Sequence, residues 1–128
     1  MSVLVAYSNT TEGRAALQHG IRLAELEDIP VVAFDFDTPT TRDDRGIDPP
    51  HREGDDAGTV RWIGRRKDDP DAADELLDTS EEIGATTIVV GIRRRSAVGK
   101  LLLGSNAQRI LLGADVPVLA VKADTHDH

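Results

Sequence analysis

Five short apolar runs alternate along the chain with three stretches whose apolar residues recur at helical spacing. Val3-Leu4-Val5-Ala6 is apolar throughout, as suits a parallel strand buried on both faces. Ser8-Asn9-Thr10-Thr11-Glu12 follows, rich in helix-capping residues, and Asn9 with Glu12 three positions on has capping-box spacing. Leu17, Ile21 and Ala24, flanked by Ala16 and Leu23, then predict a helix of about four turns that ends near Asp28, ahead of Pro30. Pro30 to Phe34 reads as the second strand.

From 35 to 58 the periodicity stops, and Asp, Pro and Gly dominate. This long acidic loop reads as a solvated surface segment or as a lid over a ligand site. Thr59 to Ile63 predicts a short edge strand, with Arg61 and Arg65 on its exposed side and Trp62 covering the sheet's edge. Asp69-Pro70 supplies a cap and a first-turn proline. Ala73, Leu76, Leu77, Ser80 and Ile83 give the next helix a buried face, and Gly84 a stop. Ala85 to Val90 is a strand that halts at Gly91. A loop carrying Arg93, Arg94, Arg95, Ser96, Gly99 and Lys100 leads to Gly104-Ser105, which opens a helix with Ala107, Ile110, Leu111 and Ala114 on its apolar positions. After Gly113 and Pro117, Val118 to Val121 forms the last strand. Residues 1–122 thus form one domain, and the tail from Ala123 to His128 has no reason to be ordered.

Five strands alternating with three helices predict an α/β fold: a single-domain, open, parallel five-stranded sheet with helices on both faces. Such sheets receive ligands where loops leave the carboxyl ends of the strands, here beginning at Tyr7, Asp35 and Gly91. Gly91 and Gly104 would let peptide N–H groups face an anion closely. Ser105 adds a hydroxyl at a helix N-terminus, and Arg93 to Arg95 with Lys100 add positive charge. The same residues also admit a plainer reading. Ser105 is then an N-cap and Gly104 a tight turn, while the arginines are solvated or paired with carboxylates. Gly99-Lys100 lacks the spacing and the Ser/Thr of a Walker-type phosphate loop.

Composition narrows the function classes. The 128 residues suit one domain, and the net charge of −8 argues against non-specific nucleic-acid binding. Abundant Asp with 12 arginines and only 3 lysines suggests a halophilic protein of a high-salt cytoplasm. No cysteine is present for a disulfide, a thiolate metal site or a nucleophile. No apolar run reaches the length of a membrane span, and Met1-Ser2 leads straight into a strand-like segment, so a soluble cytoplasmic protein with no membrane partner is expected. His19, His51, His126 and His128 have no evident catalytic partner. Asp43-Asp44, Asp55-Asp56 and Asp68-Asp69 read as solvated pairs or as carboxylates for Mg²⁺ beside a nucleotide.

The pattern Gly91-x2-Arg94-x9-Gly104-Ser105, followed by an apolar helix and Pro117-Val118-Leu119-Ala120-Val121-Lys122, resembles the universal stress protein family, whose motif is Gly-x2-Gly-x9-Gly-Ser/Thr before a terminal Pro-Val strand. Val3 to Thr10 resembles the family's first strand and turn, with Ala15-Ala16-Leu17 on the next helix. Arg94 stands at the motif's second glycine, and Ser8 where ATP-binding members carry aspartate. The resemblance implies a Rossmann-like, adenine nucleotide alpha hydrolase-like sheet of order 3-2-1-4-5, with the 35–58 loop in place of a helix. It also implies a nucleotide ligand, ATP or another, with Mg²⁺ optional and no cofactor required. Carried over, Ala6, Tyr7, Ser8 and Phe34 would face the adenosine, and Val90 and Gly91 would flank the nucleotide. Gly104, Ser105, Asn106 and Ala107 would cradle phosphate, with Arg93 and Arg94 beside it. The edge strand Val116–Val121 would pair two protomers into a homodimer. The expected function is a regulatory stress-response protein, non-catalytic or at most a slow ATPase. The alternative is a nucleotide-free dimeric adaptor whose Arg93–Arg95 loop meets an acidic partner.

Overall fold

The computed structural model describes residues 1–40, 60–66, 71–94, 101–102 and 104–124. Most of the expected acidic loop, the three Asp pairs, His51, the Asp69-Pro70 cap, Arg95, Lys100 and the last four residues with their histidines lie outside them.

The elements run β1 (Ser2–Tyr7), α1 (Thr11–Glu27), β2 (Val31–Thr40), β3 (Val60–Arg66), α2 (Ala72–Ile83), β4 (Ala85–Arg94), β5 (Leu101–Leu102), α3 (Ser105–Gly113) and β6 (Val118–Asp124). The long strands lie parallel in the order β3-β2-β1-β4-β6, which is the expected 3-2-1-4-5 arrangement of five. A sixth strand was not foreseen. β5 is only two residues long and pairs antiparallel with Arg93 and Arg94 at the end of β4.

Strand alternation sorts the apolar side chains into two cores, one on each side of the sheet. Val3, Val5, Val31, Ala33, Val89 and Val121 pack under Ala16, Leu17 and Ala24 of α1. Leu4, Val32, Ile88 and Val90 face Ala73 and Leu76 of α2 and Ile110 of α3. One helix thus covers one face, and two helices share the other. Trp62 lies on edge strand β3 but turns inward, 5.1 Å from the Tyr7 ring in an edge-to-face contact. No helix among the described residues is long and apolar enough to cross a membrane.

Three strands outrun their expected ends. β2 continues through residues 35–40, which the acidic composition had assigned to a loop, because its end pairs again with Arg65 and Arg66. β4 passes through Gly91 to Arg94, since β6 supplies partners as far as Asp124. Ala123, expected in a loose tail, is therefore a buried strand residue. The α1 cap also differs: Thr10 occupies it, and its hydroxyl accepts the Gly13 amide at 3.0 Å. Both expected helix ends, at Asp28 and Gly84, carry left-handed caps.

Candidate functional site

Where the strand order reverses between β1 and β4, their carboxyl ends open onto a cleft of about 430 Å³. A volume of several hundred Å³ suits a small-molecule ligand. Ala6, Ser8, Glu12 and Gly13 line it from β1 and the first turn of α1, and Phe36 and Asp37 from β2. Val90, Gly91 and Arg93 come from β4, and Gly104 to Ala107 with Ile110 from α3.

The wall built by β1 and β2 is tied by hydrogen bonds. Ser8 Oγ and Thr10 Oγ1 lie 2.9 Å apart, and Thr10 also caps α1. The Asn9 amide donates to Asp37 Oδ2, and the Asp37 amide donates to Asp35 Oδ1 at 2.9 Å. Arg14 Nη1 donates to Asn9 Oδ1 at 2.8 Å. These bonds fasten the end of β2 to the turn after β1. The wall is also close-packed. A Cβ at Gly13 would lie 2.1 Å from the Ser8 carbonyl oxygen, and one at Gly91 would lie 2.1 Å from that of Glu12. Gly91 is therefore a close approach between β4 and α1, not a strand stop.

The opposite wall is the start of α3. Gly104 is its N-cap, with ordinary extended backbone and no side-chain cap bond. The amides of Ser105, Asn106 and Ala107 precede the first intrahelical donor, that of Gln108 to Gly104 O. Ser105 is the first helical residue and not the cap. Among the described residues, a Cβ at Gly104 would meet nothing within 4 Å. Arg109 holds α3 to α2 through Asp74, donating from Nε at 3.0 Å and from Nη2 at 2.8 Å. That hydrogen bonding, then the charges of Asp74 and Asp71, raise the Arg109 pKa above its ordinary value.

On the wall facing α3, Arg93 Nη2 approaches Glu12 Oε2 at 3.6 Å. Glu12 Oε1 is shielded from water and has no hydrogen-bond partner among the described residues. No group of three or more His, Cys, Asp or Glu among the described residues is placed to hold a metal ion. His19 is an exposed residue of α1 whose Nδ1 lies 3.2 Å from the Ala15 carbonyl.

Of the residues singled out in the sequence, Ala6, Ser8, Val90, Gly91, Arg93, Gly104, Ser105, Asn106 and Ala107 line the cleft together. Tyr7 and Phe34 do not. Tyr7 shares the face of Val3 and Val5 and is buried under α1 against Trp62. Phe34 is fully buried in the other core, and the next residue of the same parity, Phe36, reaches the cleft in its place. Arg94 is placed on β4 by pairing with Leu101 and Asp124, and its side chain lies outside what is described. Glu12, Gly13, Phe36, Asp37 and Ile110 were missed. Strand parity would have excluded Tyr7, and the Phe34-x-Phe36 alternation, two residues on along the same face, would have moved the β2 contact from Phe34 to Phe36.

An open parallel sheet with a cleft at its switch point, closed by a helix N-terminus, defines a Rossmann-like α/β protein. Residues 51–122 match the model of the universal stress protein family. A universal stress protein of Mycolicibacterium smegmatis is 39% identical over 130 residues, covering 94% of this chain and 96% of the relative. The chain belongs to the universal stress protein family. Among solved structures, a universal stress protein from Archaeoglobus fulgidus superposes with a TM-score of 0.69 at 24% identity, over 95% of this chain and 98% of that one. A second from Archaeoglobus fulgidus, solved in complex with dAMP, has a TM-score of 0.64 at 18% identity with the same coverage. Both share the fold.

Proposed function

We propose that this chain is a nucleotide-binding regulatory protein whose cleft takes an adenosine nucleotide. The observation that carries the reading is the opposition of two unlike walls. One holds the uncapped start of α3 with Gly104 lacking any side chain before it. The other holds the ends of β1, β2 and β4 with Phe36 and the acceptors of Ser8 and Asp37. A phosphate group suits the first wall, where unpaired amides and the helix dipole favour negative charge. A nucleoside suits the second, through ring contact with Phe36 and hydrogen bonds to Ser8 and Asp37. The dAMP complex of a protein with the same fold supports a nucleotide in this class of cleft.

The proposed role is binding, with hydrolysis at most slow, and any Mg²⁺ enters with the phosphates of the nucleotide. The proposed assembly is a homodimer formed by β6. This strand pairs with β4 along one side, no described strand pairs with its other side, and Leu119 is 41% exposed. An unpaired strand edge is a template for a second strand.

The test is to denature purified protein and identify released small molecules by anion-exchange chromatography and mass spectrometry. Near-stoichiometric adenosine nucleotide is the expected result. A nucleotide-free preparation that gives no heat on titration with AMP or ATP would overturn the reading.

A further inference from the structure

Resting on the nucleotide reading above, we infer that Glu12 is a charge filter of the cleft, a specificity-determining residue that disfavours long phosphate chains. Glu12 lines the cleft beside Gly91 and Arg93, which is the sole cation of the lining among the described residues. Its Oε2 lies 3.6 Å from Arg93 Nη2, longer than a hydrogen-bonded ion pair, and its Oε1 has neither water access nor a hydrogen-bond donor among the described residues. Among the described residues a carboxylate so placed is only partly offset, and its field extends into the cleft. Asp37 brings a second carboxylate to the lining, but the Asn9 amide already engages its Oδ2.

An incoming phosphate must therefore share Arg93 with Glu12. Each further phosphoryl group adds negative charge near a carboxylate that cannot swing away with its helix. The Glu12 carbonyl sits against Gly91, where even a methyl group would not fit. Glu12 acts as a repulsive element and sets selectivity by opposing one ligand more than another. Removing its charge tightens binding, the reverse of what removal of a ligand contact does.

The test titrates the full chain and its Glu12→Gln and Glu12→Asp variants with AMP, ADP and ATP by calorimetry. Conditions are fixed ionic strength with EDTA, and circular dichroism confirms the fold of each protein. The Gln variant is expected to bind AMP about 3-fold and ATP about 10-fold more tightly than the parent, with ADP between them. The Asp variant keeps the charge and is expected to keep the parent's ratio of AMP to ATP affinity. ATP binding by the Gln variant alone would support the same conclusion. Equal gains for the three nucleotides, weaker binding by the Gln variant, or an Asp variant that behaves like Gln would overturn the charge filter and leave the nucleotide reading standing. Folded parent and Gln variant that bind none of the three would overturn both.

Discussion

A methyl group placed on Gly91 would lie 2.1 Å from the Glu12 carbonyl oxygen, whereas one placed on Gly104 would meet none of the described residues within 4 Å. The two motif glycines therefore respond differently to substitution. Gly91→Ala forces β4 away from α1 and is expected to lower unfolding free energy by about 1–3 kcal/mol in chemical denaturation. Gly104→Val has room among the described residues and costs about 1 kcal/mol as a poor N-cap, yet its side chain fills the space before the Ser105–Ala107 amides. Calorimetry should show nucleotide binding abolished in Gly104→Val with the fold retained. Binding at parental affinity would show that phosphate lies elsewhere. The positions of these glycines were legible in the sequence, and so was their place beside a cleft. Their separate reasons were not, because one depends on how near a helix comes and the other on how empty a space is. Tyr7 and Phe34 mark the same limit. Tyr7 lies between two cleft residues in the chain, but strand parity turns it into the core under α1, whereas Phe34 shares the face of Ala6 and Val90 and is buried one strand repeat short of the cleft.

At the level of elements, the start of α1 separates a pattern from its realisation. Asn9 and Glu12 have capping-box spacing, yet Thr10 is the cap and Asn9 instead joins Asp37 and Arg14. Thr10→Ala is expected to cost about 1 kcal/mol in thermal or chemical unfolding. Asn9→Ala, which leaves the cap in place, is expected to cost clearly less, and the opposite ranking would restore Asn9 as the cap. The strand ends were hard to read for a different reason. Asp, Pro and Gly weaken local preference for strand in β2 and at Gly91 of β4, and pairing with neighbouring strands overrides it. β6 carries the assembly prediction. Light scattering at micromolar concentration is expected to show a dimer for the parent and a monomer for Leu119→Lys, whose charge would sit on the open edge. A monomeric parent would remove the proposed interface.

For the molecule as a whole, the parallel sheet was legible because apolar runs alternated with helical periodicity, and the order of the five long strands because both chain ends resembled one family. β5 escaped notice, since two leucines beside a basic stretch carry no periodicity of their own. The net charge of −8 is a property of the entire surface and predicts a response to salt. Raising KCl from about 0.1 M to about 2 M screens that repulsion and is expected to raise the thermal midpoint by about 5 °C or more. A midpoint that does not move would remove the halophilic expectation. The contacts at Gly13 and Gly91 have a consequence on another axis, that of time. They bring the first turn of α1 against the turn after β1 and against β4 with no side chain between, so this side of the cleft has no slack in which to breathe. Hydrogen exchange there should be as slow as global unfolding allows, while the first amides of α3, with no acceptor in their own helix, exchange early. A ligand would then arrive at one still wall and one restless one, and its occupancy would register as slowed exchange at Ser105, Asn106 and Ala107 alone.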